Sequence, residues 1–368
     1  MIIGIDGRNL EGGRTGVGRY LFNLLKEWSS FDLPNDLKFI LYFKEEIPED
    51  LSFLSNNFQS RNLASGWRSN AFFTHFVLPR AAKKDGIDLL FCPAYVAPLF
   101  YGGKIVLTLH DIIYQARPDL YNWPSVWDKI LLKRFSKIAA RKAEIIFVPS
   151  EYSKMEVLKY YQVDSERVFV TPLAADESFR WIDDMNKLVK VKEKYGVKNK
   201  FIFYIGSIFN RRHLPEAIKA FGEIAGELPD YQFLIVGKNY TCFSMKSRGV
   251  LRKEYINSKD LPFLYNAADL LVWLSDYEGF GLPVLEALAC GTPVITSPVA
   301  SIPEVAGDAA IYIQDNHDIT EISKAMRKAL TDKSARQELI SRGLEQAQKF
   351  SWKKCARETL DALLTKRL

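Results

Sequence analysis

Short apolar runs, each followed by a stretch with helical periodicity, recur along most of this chain. In the first half they are Ile2-Ile5, Lys38-Phe43, Leu89-Phe91, Lys104-Leu109, Ile145-Val148 and Val168-Val170. Helical patterns lie between them at Tyr20 to Trp28, Trp127 to Ala143 and Ser153 to Tyr160. Strands alternating with helices predict an α/β chain whose parallel sheets are covered on both faces. After Pro172 the pattern loosens, and residues 173–200, with "VKVKEKYGVKNK", read as a polar surface segment. A second series then begins, at Phe201-Ile205, Tyr231-Val236, Asp269-Leu274, Pro293-Thr296 and Ala309-Ile313. A chain of 368 residues exceeds one ordinary core, so two such domains are expected, 1–172 and 173–350.

Composition narrows the class. The chain is 48% hydrophobic and 26% charged, as in globular soluble proteins. Its net charge of +6 favours an anionic partner, but the basic residues are not clustered as in nucleic-acid binders, and none is expected. Cys92, Cys242, Cys290 and Cys355 lie far apart with no CxxC, which predicts reduced thiols in a reducing compartment. The opening MIIGIDGRNL reads as a first strand rather than a signal peptide, and no run of about 18 apolar residues occurs. A cytoplasmic location is the expectation.

Ligands of open parallel sheets bind beyond the carboxyl ends of the strands, and four stretches there carry chemistry. The first is "NLEGGRTGVGRY", where Gly16, Val17 and Gly18 form an expected loop before a helix N-terminus. It partly matches a dinucleotide fingerprint, although Leu21 takes the third glycine's place, and a glycine loop without a ligand fits equally. In "VLTLHDIIY", His110 ends a strand, either packed or facing a crevice, and Asp111 could orient its imidazole or cap the next turn. In "FYIGSIFNRRHLPEAIKAF", Gly206 and Ser207 end a strand, and Arg211 and Arg212 precede a helix. Paired cations there read as a diphosphate clamp or as an exposed basic turn. The fourth, "DYEGFGLPVLEALACGTPVIT", runs strand, turn, helix through Gly279, Phe280, Gly281 and Leu282. Backbone N–H groups of Phe280 to Val284 would face a phosphate, Glu278 could accept from sugar hydroxyls, and Glu286 could reach a ribose diol.

Spaced as Glu278-x7-Glu286, this last stretch resembles the signature of retaining glycosyltransferases with the GT-B fold, most of all glycosyltransferase family 4. "GVGRYLFNLL", "TLHD", "VPSEYSK", "YIGSIFNRRHL" and the final "FSWKKCARETLDAL" are similar to other segments of that family, in order. The resemblance covers nearly the whole chain and is most specific over 268–310. It implies two Rossmann-like domains facing a central cleft, an acceptor-binding domain 1–172 and a donor-binding domain 173–350, with the helix 351–368 crossing back onto the first. It also implies retaining transfer of a hexose from a UDP- or GDP-linked donor to a glycan or lipid-linked acceptor in surface polysaccharide or glycolipid assembly, with a flavour of bacterial mannosyl- and rhamnosyltransferases. No cofactor is implied beyond that co-substrate, and no metal, in keeping with the lack of an Asp-x-Asp. His110, Glu278, Arg211 and Arg212 would be catalytic. Gly206, Ser207, Gly237, Lys238, Gly279, Phe280, Gly281, Leu282 and Glu286 would bind donor, and Gly16, Val17 and Gly18 the acceptor or diphosphate. Two departures stand out: Arg212 occupies a place where lysine is common, and the connection after "LIVGK" is short, which bears on the base pocket. Competing classes are a nicotinamide-dependent oxidoreductase and a non-catalytic nucleotide-binding protein.

One more stretch, "WPSVWDKILLKRFSKIAARKA", spaces Lys129, Lys133, Lys137 and Arg141 by four, with Trp127, Ile130, Leu131, Phe135 and Ile138 mostly opposite. Either its apolar face packs on the first domain, or its basic face approaches anionic lipid, which would suit a lipid-linked acceptor.

Overall fold

The structure, a computed structural model, describes residues 1–14, 16–63, 69–123, 125–244 and 247–365. The chain divides into two compact units, Met1–Leu173 with Ser351–Leu368, and Ala174–Phe350. The strands of the first are β1 Ile2–Asp6, β2 Lys38–Phe43, β3 Phe58–Asn62, β4 Leu89–Cys92, β5 Lys104–Thr108, β6 Ile145–Val148 and β7 Val168–Val170. They form one parallel sheet in the order β3-β2-β1-β4-β5-β6-β7. The second unit has β8 Lys200–Ile205, β9 Tyr231–Val236, β10 Val250–Lys253, β11 Leu270–Trp273, β12 Val294–Thr296 and β13 Ile311–Tyr312. Their order, β10-β9-β8-β11-β12-β13, is again parallel throughout and repeats the first pattern. Strands β4, β6 and β11 are buried at every position, as sheets covered on both faces require.

Two strands escape the apolar-run reading for one reason. β3 (FQSRN) and β10 (VLRK) are edge strands with mostly uncovered side chains, so neither needs an apolar run. The segment expected as polar surface also needs correction. Met185–Tyr195 is a helix that buries Leu188, Val191 and Tyr195 along one face, while its lysines occupy the solvent side.

The helix Trp352–Thr365 belongs to the first unit and packs on the helix Gly16–Ser30. Trp28 is wholly buried there, and its indole N–H donates to the Ala356 carbonyl at 2.8 Å. The four cysteines are free thiols, three buried and Cys242 exposed. Among the described residues no helix is long and apolar enough to cross a membrane.

In each sheet the direction of winding reverses once, between β1 and β4 and again between β8 and β11. Crossover connections diverge at these points, leaving a crevice at the carboxyl ends of the strands.

Candidate functional site

Arg211 and Arg212 lie in the connection after β8, and Glu278 in the connection after β11, so the two flank the second unit's reversal point. Two glycines allow the chain to leave the sheet there. Gly206 and Gly237 follow the adjacent strands β8 and β9 at φ +138° and +147°. A Cβ on Gly237 would run into the Gly206 carbonyl, and one on Gly206 would meet the Trp273 ring at 2.9 Å. Ser207 is exposed and its carbonyl accepts from the Tyr204 hydroxyl at 3.2 Å. Lys238 is exposed as well, with its ammonium 5.4 Å from the Tyr240 ring centre. Tyr240 in turn stacks on Phe209 at 5.0 Å, and Arg211 covers Phe209 at 4.4 Å.

Arg212 and Glu278, separated by 66 residues, form an ion pair. Arg212 Nη1 lies 2.6 Å from Glu278 Oε1, and both side chains are only 11% exposed. The hydrogen bond of the pair is on the second arm, with Nη2 donating to Oε2 at 3.4 Å, while Nη1 and Oε1 approach as charges without hydrogen-bond geometry. The guanidinium lies 3.9 Å over the Trp273 ring, which itself stacks on Tyr204. Burial drives the Tyr204 hydroxyl up to about 12, with Arg212 pulling the other way. Arg212 Nε and Trp273 Nε1 are buried donors without a partner among the described residues. Such donors are rare in folded interiors and mark a place where an acceptor can bind.

The Glu278 turn is held from behind. Ser301 is fully buried, and its Oγ lies 2.8 Å from the Phe280 carbonyl and 3.1 Å from that of Glu278. Gly281, at φ +110°, begins the helix Leu282–Ala289, and Gly279 lies within the turn. A Cβ at Gly281 would meet Ile302 at 2.7 Å. Not every N–H of Phe280 to Val284 is available to a phosphate, because Val284 donates to the Gly281 carbonyl at 3.0 Å and Pro283 has none. Glu286 is 2% exposed and accepts from the Tyr265 hydroxyl at 3.0 Å, so its carboxylate is enclosed rather than presented to solvent.

The first unit holds the other expected residues. His110 follows β5, and its Nε2 lies 3.1 Å from the Pro93 carbonyl. A carbonyl only accepts, so Nε2 carries the proton and Nδ1 the lone pair. Tyr20 packs its ring edge-on at 4.8 Å, and desolvation pushes the imidazole down to about 4, although part of the residue meets solvent. Asp111 caps the next turn, accepting from Ile113 N at 3.1 Å. Gly16, Val17 and Gly18 are not a loop, since they form the first turn of the helix Gly16–Ser30. Gly18 is required by packing, because a Cβ there would strike the Asn9 carbonyl. At the first unit's reversal point a cavity of about 940 Å³ is lined, among others, by Val17, which the sequence places at a ligand, and by Arg8, His75, Tyr95 and Trp123, to which it gives no role. Arg8 is held there by the buried Asp6, with Nη2 2.6 Å from Oδ2.

The helix Val126–Lys142 does not bury its apolar side. Val126 and Trp127 are more than two-thirds exposed, and Ile130, Leu131 and Ile138 more than two-fifths. Ser136, Ala139 and Ala140 make its buried contact instead.

A family model described as Glycosyl transferases group 1 matches residues 186–346, and one described as Glycosyltransferase Family 4 matches residues 14–179. An O-antigen chain mannosyltransferase B of Escherichia coli is 30% identical over 95% of this chain and 95% of its own. Among solved structures, WaaG, a glycosyltransferase involved in lipopolysaccharide biosynthesis, superposes with a TM-score of 0.74 at 16% identity, over 98% of this chain and 99% of that one. Anabaena Alr3699/HepE in complex with UDP and glucose superposes equally at 0.74 and 15% identity, over 100% of this chain and 99% of that one. At those identities the two structures bear on the fold alone.

Proposed function

We propose a function from one premise: the chain belongs to the group 1, family 4 glycosyltransferases. That premise sets aside the oxidoreductase alternative. The reading is transfer of a mannosyl unit, with retention, from a nucleoside-diphosphate sugar to a glycan or lipid-linked acceptor in surface polysaccharide assembly. The observation that carries it is the Arg212–Glu278 pair at the reversal point, beside buried donors that lack a partner.

Arg211, Arg212 and the backbone N–H groups of Phe280 and Gly281 ahead of the helix Leu282–Ala289 would hold the diphosphate and neutralise the charge growing on it as the glycosidic bond breaks. No metal is assigned to that task. Glu278 would accept hydrogen bonds from the donor sugar's hydroxyls. Gly206, Ser207, Gly237 and Lys238 would line the nucleotide, and Glu286 would serve the ribose through the carboxylate that Tyr265 holds. His110, neutral at physiological pH, would offer its Nδ1 lone pair to a sugar hydroxyl bound at the first unit. The acceptor hydroxyl would attack the face the phosphate leaves, and the leaving phosphate would take its proton. The cavity at Arg8, Tyr95 and Trp123 suits a glycan, since aromatic faces cover sugar rings. The exposed apolar and basic helix Val126–Lys142 would rest on anionic lipid at a membrane's inner face.

Incubation with GDP-mannose and with UDP-hexoses, with and without a lipid-linked mannan acceptor, tests this. Acceptor-dependent nucleotide release and an α-linked product from an α-linked donor are expected. Release with no donor tried, or an inverted product, would overturn it.

A further inference from the structure

Next to the Arg212–Glu278 pair, but using neither residue, the second unit gathers two imidazoles and a carboxylate. Glu216 Oε1 lies 3.2 Å from His317 Nδ1, and Glu216 Oε2 lies 4.0 Å from His213 Nδ1. One ligand atom from each of the three residues falls within 4.8 Å of the others. The rings of His213 and His317 meet edge to face, with centroids 4.7 Å apart. Nε2 of His213 lies 2.7 Å from Asp276 Oδ1. An ionised carboxylate only accepts, so in the neutral ring Nε2 holds the proton and Nδ1 turns its lone pair toward Glu216 and His317. Asp276 is itself steadied by Asn316 Nδ2 at 3.3 Å, and Asn316 by Ser297 at 2.6 Å. Histidines that ligate metals are oriented in this way, with the second nitrogen donating to a carboxylate.

We infer that His213, Glu216 and His317 form a binding site for a divalent transition-metal ion of the zinc class, with Asp276 as its outer carboxylate. Two imidazoles and one carboxylate suit Zn²⁺, Co²⁺ or Ni²⁺, whereas Mg²⁺ and Ca²⁺ favour oxygen alone. Tetrahedral zinc, with bonds of roughly 2.1 Å, places its ligand atoms about 3.4 Å apart. The Glu216–His317 spacing already fits once the ion displaces the proton that Nδ1 donates to Glu216, the exposed His317 ring has room to approach His213, and a small turn of the Glu216 carboxylate closes its 4.0 Å gap to His213. His213, at a left-handed φ of 45°, stands just ahead of the helix Leu214–Ile224, and His317 stands two residues ahead of the helix Ile319–Thr331. A bound ion would therefore tie the entry points of two helices together and stiffen the loop that carries Arg211 and Arg212.

Chelator-treated full-length protein titrated with Co²⁺ and Zn²⁺ tests this without reference to sugar transfer. One ion per chain is expected, with the visible absorption of tetrahedral Co²⁺, a rise in Tm with Zn²⁺, and no response to Mg²⁺. His317→Ala, on an exposed turn, should keep the wild-type circular dichroism and lose affinity on the order of 100-fold. Asp276→Asn, which leaves all three ligands in place, should lose roughly 10- to 100-fold. Undiminished binding by His317→Ala, absent Co²⁺ bands in the wild type, or loss of binding on Cys242→Ser would each overturn the assignment.

Discussion

Arg212 and Glu278 hold each other at 2.6 Å, although one is suited to an anionic phosphate and the other to neutral sugar hydroxyls. A donor must therefore enter a pair already made, and each residue sets the cost of moving the other. Arg212→Lys keeps the charge but loses both the fork and the flat contact with Trp273. It should weaken nucleoside-diphosphate binding about tenfold, read by calorimetry. Glu278→Ala should retain the fold and lower transfer by roughly 10² to 10³. Because the two side chains touch, the double variant should depart from additivity by about 0.5–3 kcal/mol. Strict additivity would show that they act separately.

Ser301 touches no proposed ligand, yet it supports the Glu278 turn by reaching two main-chain carbonyls from a fully buried position. Ser301→Ala leaves those acceptors short of a donor, at a cost of about 1–3 kcal/mol. Urea unfolding should show a lower midpoint at an unchanged slope. Transfer should fall as well, through the looser turn.

Burial depresses His110 to about 4, below its ordinary 6.5. Between those values the unfolded chain binds a proton that the folded chain does not. Stability should therefore rise with pH from about 4 to about 6.5 and stay level above it. Denaturant titrations at several pH values should show this slope in the wild type and a flatter one in His110→Gln. Over the same range, the pH profile of transfer should carry no limb from an imidazolium at His110.

Sedimentation with liposomes tests the helix Val126–Lys142. Recovery should rise with anionic lipid, fall with salt, and drop when Lys129, Lys133 and Lys137 become glutamate, since each such charge adds about 1 kcal/mol near an anionic surface. Trp127→Ala should reduce recovery even at low salt, because it removes an exposed apolar anchor. Equal recovery on neutral and anionic vesicles would leave the helix as plain surface.

Sequence order carried most of the fold because a parallel sheet buries its strands on both faces and so marks each with an apolar run. Where burial is one-sided the mark vanishes, as at the edge strands Phe58–Asn62 and Val250–Lys253. The residues flanking the second reversal point, Arg211, Arg212 and Glu278, were legible from their place after strands. Their pairing was not, since 66 residues separate Arg212 from Glu278 and they meet through the β8–β11 adjacency, which no local pattern encodes. Glu286 was legible as a helix residue but not as an enclosed one, because Tyr265 on another helix closes over it. Ser301, His213 and His317 left no periodic trace. Each acts through a long-range contact from a loop or turn.

The helix Trp352–Thr365 also dictates a timetable for synthesis. The first unit lacks the acceptor for the Trp28 indole N–H until residues beyond 350 have been made, and the 177 residues of Ala174–Phe350 intervene. At about 5–20 residues per second that wait is roughly 10 to 35 s. A ribosome-bound chain must spend it with the helix Gly16–Ser30 lacking the helix that packs on it and the Trp28 N–H lacking its acceptor. The second unit is contiguous and can complete its core first, so the half translated earlier is the half that matures last.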